Sequence, residues 1–258
     1  MKEQGLSFDE VAGLYDRLRP GYPEPLFDDL VSLAAVPPGA RMLEIGCGTG
    51  QATLPLARRG HRVRCLEPGS ALARGAREKL SAYPEVEVCE STFEDWSLER
   101  SAFDLIFSAQ AFHWVSAEVR FAKAAEALTP AGSLAVFGNA VVPDSSPLGE
   151  AIDAVYARHA PALRGPSPTH WYRDEGPLRN LYADSGRFGP VAHRSHPWSR
   201  RYSASEYCDL LRTHSDHRLL SAAERGALFG ALSAQIEAHG SGIDVAYEAH
   251  LYVAPRKA

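Results

Sequence analysis

The stretch Leu43-Glu44-Ile45-Gly46-Cys47-Gly48-Thr49-Gly50 decides how this chain of 258 residues is read. Arg41 to Ile45 has the form of a short buried strand. A helix through Leu54 and Ala57 follows the glycines and stops at Gly60. Glycines between a strand and a helix let the backbone turn tightly and approach a ligand closely. The helix start beyond them offers free N–H groups. The spacing is G-x-G-x-G, whereas the dinucleotide fingerprint G-x-G-x-x-G wants a glycine where Gln51 stands. The next strand, His61 to Leu66, ends at Glu67-Pro68, and Glu67 lies 21 residues after Gly46. An acid there can accept hydrogen bonds from both ribose hydroxyls of an adenosine, where a 2′-phosphate pocket would need a base instead.

Moving outward, the pattern predicts a helix over 70–81 and a strand over 86–89. A strand over 103–107, a helix from about Ser116 to Leu128, a stop at Thr129 to Gly132 and a strand over 134–137 follow. Alternating strands and helices imply an α/β fold, a parallel sheet covered on both faces with right-handed crossovers. Upstream, Ser7 and Glu10 have the spacing of a capping box, and Phe8, Ala12, Tyr15 and Arg19 share one helical face. Pro25 opens a second helix with Leu26, Phe27, Leu30 and Val31 on its apolar side. After residue 138 the composition changes. Seven of the 18 prolines lie between Pro143 and Pro190, and eight of the ten histidines follow residue 150. Helices are expected near 147–160 and 175–185, then a strand near 189–198, helices near 204–213 and 221–239, and a last strand near 243–253.

Hydrophobic residues make up 45% and charged residues 23%, which excludes a disordered chain or a coiled coil. A net charge of -5 argues against nucleic acid or an anionic membrane as partner. The longest uncharged stretch, Ala127 to Pro143, is broken by Pro130, Gly132, Gly138 and Asn139 and is too short to span a bilayer. The first ten residues lack an apolar region of the signal-peptide kind. Cys47, Cys65, Cys89 and Cys208 form no C-x-x-C pair and read as reduced, mostly buried thiols of a cytoplasmic protein.

Taken together, Glu44-Ile45-Gly46-Cys47-Gly48-Thr49-Gly50 and Glu67 resemble the cofactor site of the class I S-adenosylmethionine-dependent methyltransferases. The resemblance covers residues 8–138 in motif detail. It implies a doubly wound seven-stranded sheet of order 3-2-1-4-5-7-6, with strand seven antiparallel and a helical insert after strand five. The whole chain, 1–258, is then one domain, with N-terminal helices over 1–36 and residues 139–188 as an acceptor lid. The implied cofactor is S-adenosyl-L-methionine, bound across the carboxyl ends of the first four strands. Gly46, Cys47, Gly48 and Gly50, together with Glu44, would cradle its methionine half, and Glu67 and Pro68 its ribose.

The same resemblance assigns the adenine side to Thr92, Phe93 and Glu94. It departs from the family there, since Thr92 stands for an Asp and Phe93 for a small residue. The fourth strand ends in Ser108-Ala109-Gln110-Ala111-Phe112-His113-Trp114. This is similar to a subgroup related to the type-11 and small-acid methyltransferases, such as trans-aconitate methyltransferase. In that subgroup Ser108, Ala109 and Gln110 would lie beside the sulfonium and His113 would face the methyl or the acceptor as the one candidate base. Tyr15 to Pro23 resembles the subgroup's Y-D-x-x-R-P-x-Y-P segment, which puts Tyr15 and Arg19 at the cofactor and Tyr22 at the acceptor. Arg19 on an apolar helix face needs an anion, either the cofactor carboxylate or a protein carboxylate, unless it reaches water. Trp114, His170 and Trp171 are the other expected acceptor contacts.

The expected reaction is methyl transfer to a small molecule, with hydroxyl or carboxyl acceptors favoured. The alternatives are a non-catalytic cofactor-binding regulator, an RNA methyltransferase, for which no basic face or appended module is visible, and aminopropyl transfer, for which the acidic residues are missing. Two H-x-x-H pairs, His193/His196 and His214/His217, are set aside as metal sites. The first sits on a strand, where residues three apart face opposite sides. For the second, Asp216 could join, but spacing alone weighs little. No metal is therefore expected, and the oligomeric state is left open.

Overall fold

The computed structural model describes residues 12–164 and 171–257. The capping box at Ser7 and the predicted acceptor residue His170 lie outside them. Seven strands form one sheet of order β3-β2-β1-β4-β5-β7-β6. They are β1 (Arg41–Ile45), β2 (Arg62–Leu66), β3 (Val86–Cys89), β4 (Phe103–Ala109), β5 (Leu128–Val141), β6 (Ala192–Tyr202) and β7 (Ile243–Pro255). β1 to β5 pair in parallel, and β7 runs antiparallel to both β5 and β6.

The helices are α1 (Ala12–Leu18), α2 (Glu24–Leu33), α3 (Thr53–Arg58), α4 (Ser70–Lys79), α5 (Arg120–Ala127), α6 (Pro147–His159), α7 (Leu178–Asp184), α8 (Ala204–Arg212), α9 (Ser215–Arg218) and α10 (Ala222–Ala238). Short 3-10 turns cover Phe112–Trp114 and Pro161–Arg164. The two-residue period of the strands sorts the core into two layers. Leu105 and Phe107 of β4 join Phe27, Leu30 and Phe137 on one face. Phe103 and Ile106 join Phe121, Val136 and Tyr182 on the other. A third cluster lies around Tyr202, Val245 and Tyr247. There Leu18, Ile152, Val155, Leu211 and Leu228 bring α1, α6, α8 and α10 together.

Several boundaries differ from the sequence reading. The predicted helix over 116–128 begins at Arg120, because Glu94 accepts the Ser116 N–H (2.9 Å) and holds residues 116–119 as a turn. Thr129 to Gly132 is a register shift inside β5 rather than a stop, and β5 runs on to Val141. Asn139 to Val141 of the predicted insert therefore belong to the sheet. β6 starts three residues later than expected and tolerates Pro197 because it is an edge strand, with β7 as its one neighbour.

Candidate functional site

One cavity opens over the carboxyl ends of β1, β4 and β5. Its empty space, open mouth included, is about 1230 Å³. The glycine loop forms one wall. Gly46 has φ +72° and Gly48 φ +56°, both in the left-handed region. A Cβ on Gly46 would come within 2.4 Å of the Ala111 methyl. The loop thus packs against the Ala111 side chain where no side chain fits on Gly46.

The carboxylate of Glu67 closes the loop from behind. Its two oxygens accept the Gly48 N–H at 2.8 Å and the Gly69 N–H at 2.9 Å. A carboxylate has about four lone-pair sites, so these bonds leave capacity for hydroxyl donors. Glu44 is fully buried at the cavity floor. Thr53 donates to one of its oxygens, while Oε1 has no hydrogen-bond partner among the described residues. Burial, reinforced by the nearby Glu67 charge and opposed by the Thr53 bond, pushes the Glu44 carboxyl up to about 8. Cys47 also lines the cavity, its thiol held up by contact with Cys65 and by burial.

The opposite wall carries the residues predicted at the methyl end. Ala109, Gln110, His113 and Trp114 all face the cavity, as do Arg19 and Tyr22. Gln110 has φ +52°, unusual for a residue with a side chain. Its N–H donates to Phe137 O (2.9 Å) and its Oε1 accepts from the Tyr22 hydroxyl (3.2 Å), so both ends are fixed. Arg19 donates to Thr213 O at 2.6 Å. The His113 Nδ1 and the Tyr172 hydroxyl are 2.8 Å apart. Burial, with the Arg120 guanidinium adding to it, pushes His113 down to about 4, so its imidazole is neutral near pH 7.

Other predicted residues are placed differently. Ser108 is buried in β4, and its hydroxyl donates to Ile45 O (2.8 Å). Thr92 Oγ1 accepts the Asp95 N–H (3.0 Å), and Phe93 stacks on Trp96 in the core. Neither these residues nor Glu67, Pro68 and Glu94 line the cavity, which stops at the glycine loop. Trp171 lies under Arg120, 4.7 Å from ring centroid to guanidinium, and it is Tyr172 that reaches the cavity. Tyr15 lies on α1.

Sequence reasoning missed Asn139, Tyr172, His214, Asp216 and Tyr247 as cavity residues. Asn139 carried a signal, a lone amide in an apolar strand. Its Nδ2 donates to Gly21 O and its Oδ1 accepts from Trp198 Nε1, both at 2.9 Å. Of the discounted histidines, His193 pairs with Asp174 and His250, while His196 pairs with Asp29. Their partners lie on different elements, as opposite strand faces require.

Residues 42–132 match a family model described as a methyltransferase domain. An uncharacterized methyltransferase of Mycobacterium bovis is 33% identical over 138 residues, 54% of each chain. The chain thus spans about half the length of the first curated relatives it matches. Another uncharacterized methyltransferase, from Geobacillus kaustophilus, is 29% identical over 69% of this chain and 86% of its own. Among solved structures, a chain provisionally named a type II methyltransferase of Anaeromyxobacter dehalogenans superposes with a TM-score of 0.62 at 23% identity, covering 92% of this chain and 97% of its own. A Haemonchus contortus phosphoethanolamine N-methyltransferase, solved with phosphomonomethylethanolamine and S-adenosylhomocysteine, gives 0.58 at 14% identity over 97% of this chain and 58% of its own. Such low identities speak to the fold alone.

Proposed function

We propose, from the premise that this chain carries a methyltransferase domain of the class I kind whose cofactor is S-adenosylmethionine, that it methylates a small molecule, at a hydroxyl or carboxyl oxygen. The observation that carries the reading is the single cavity that joins the glycine loop to His113, Tyr22 and Gln110. When bound, S-adenosylmethionine supplies a methyl group activated on a sulfonium. The protein's part is to align the acceptor, exclude water and hold charge.

The residues present fit that cofactor. Gly46, Cys47 and Gly48 line the cavity, and Glu44 Oε1, unpartnered among the described residues, lies at its floor within reach of a cationic donor. We assign Arg19, Tyr15, Glu44, Gly46, Cys47, Gly48, Gly50, Ser108, Ala109 and Gln110 to the methionine half. Glu67 and Pro68 take the ribose, and Thr92, Phe93 and Glu94 the adenine, with Phe93 and Ser108 acting as support behind the contact surface. Tyr22, His113, Trp114 and Tyr172 bound the acceptor, with Trp171 behind them. Residues 142–164 and 171–188 form the acceptor lid, and within them Tyr172 anchors to His113.

A neutral imidazole pushed down to about 4 is a weak base. An acceptor already ionised, such as a carboxylate, asks nothing more of His113 than orientation. That is why an acid or acidic hydroxyl fits better than an alcohol. The test is calorimetric titration with S-adenosylmethionine, followed by transfer of labelled methyl across carboxylic acids, phenols and amines. Binding with turnover on oxygen acceptors is expected. No cofactor binding would sink the reading, and unchanged turnover in His113→Ala would remove His113 from catalysis.

A further inference from the structure

The cavity wall beside Arg19 is made by His214, Ser215 and Asp216. His217, the next residue, is buried behind them. One ligand atom each from His214, Asp216 and His217 lie within 4.8 Å of one another, the one such group among the described residues. Two imidazoles and a carboxylate are a donor set of borderline softness, suited to first-row divalent metals rather than to magnesium or calcium.

We propose that His214, Asp216 and His217 bind a divalent transition metal of the zinc class at the edge of the cavity. Ligands about 2.1 Å from such an ion stand roughly 3 to 3.5 Å apart. Asp216 Oδ1 and His217 Nδ1 are already 2.7 Å apart, so an inward shift by the third ligand and a slight opening of this pair complete the set. The group behind them is arranged as a metal ligand's support should be. His217 Nε2 meets the Tyr156 hydroxyl at 2.7 Å. Without metal, Nδ1 faces the Asp216 carboxylate at 2.7 Å. With metal on Nδ1, the imidazole proton sits on Nε2 and donates to the Tyr156 oxygen.

The ligands are also fixed from three sides. The Asp216 carboxylate accepts the His217 N–H at 2.7 Å, Thr213 is buried, and Arg19 donates to Thr213 O. Tyr156 comes from α6, so the site ties the insert to the α8–α9 corner. Three protein ligands leave open positions on the metal. Because His214 and Asp216 line the cavity, those positions face it and would take an oxygen of an acidic acceptor, beside the Arg19 cation. That last assignment rests on the methyl-transfer reading, whereas the metal site does not.

The test uses the full chain, stripped with a chelator, titrated calorimetrically with zinc sulfate and followed by absorption with cobalt chloride. We expect one equivalent bound, with visible cobalt bands of nitrogen and oxygen ligation and no thiolate charge-transfer band. His214→Ala and Asp216→Asn should each weaken zinc binding at least tenfold, while His193→Gln leaves it unchanged. Circular dichroism confirms that the variants fold, and Asp216→Asn, nearly isosteric, serves where His214→Ala does not. Absence of stoichiometric binding, or binding that survives Asp216→Asn at full strength, would overturn the site. A parallel titration with S-adenosylmethionine separates the two ideas: zinc binding without cofactor binding sinks methyl transfer and keeps the metal site, and the converse keeps the reaction and sinks the metal.

Discussion

Gly46 shows how much a single residue decides. Its φ of +72° and the 2.4 Å approach of the Ala111 methyl leave no place for a side chain. Gly46→Ala combines a left-handed alanine, about 1 kcal/mol, with overpacking of about 1–3 kcal/mol. We expect a fall in unfolding free energy of roughly 2–4 kcal/mol, read by urea denaturation, with loss of cofactor affinity in calorimetry. A variant as stable and as tight-binding as the parent would show that the loop relaxes freely. Glycine content and spacing made this residue legible, because only one residue type tolerates that backbone. Tyr172 was not legible in the same way. It is one of several aromatics in its segment, and packing against Gly138 and His113 chose it over Trp171.

At the scale of elements, the helices on either side of α9 announce themselves. Ser203 and Ser221 make full capping boxes with Glu206 and Glu224, and α8 and α10 start there. Arg200 donates to Arg17 O and Arg19 O, capping the end of α1. Strand β5 outran its prediction because Gly138 and Asn139 look like terminators in isolation. Pairing with β7 as far as Val141 overrides that local preference. Asn139 there bonds Gly21 and Trp198 at once, and so fixes the segment that carries Tyr22. Asn139→Leu leaves a part-buried carbonyl and an indole N–H without this partner, at a cost of up to about 1–3 kcal/mol each. Its expected signature is a lower melting temperature with a raised KM for the acceptor. An unchanged KM would place Asn139 in stability alone.

The molecule as a whole should show opposed pH dependences. His113 is pushed down from 6.5 to about 4, so the unfolded chain takes up the proton first. Its contribution is present above pH 6.5 and is lost as pH falls, by about 2 kcal/mol between pH 7 and pH 5. Glu44 is pushed up from 4.5 to about 8, so the fold keeps a proton that the unfolded chain releases. That contribution is present below pH 4.5 and is lost as pH rises to 8, by a few kcal/mol on the order of 3 by pH 7. Urea titrations at several pH values should find His113→Gln less sensitive to acid and Glu44→Gln less sensitive to alkali. Parallel pH curves for parent and variants would contradict both assignments. Cofactor binding that ionises Glu44 should also release a proton, visible as a binding heat that changes with the ionisation enthalpy of the buffer.

By itself the sequence determined the sheet order through the resemblance, the glycine loop and the acid that closes it. These features depend on local backbone geometry and hydrophobic period, which neighbours in the chain dictate. The tertiary structure alone decided that Tyr172 and Asn139 belong to the cavity, that Thr92 and Phe93 lie outside its lining, and that His214, Asp216 and His217 meet Tyr156 at its edge. Those contacts join residues tens of positions apart. Which of many polar and aromatic side chains meet is set by how α1, α6 and α8 close over the sheet, a packing choice made by the whole core at once.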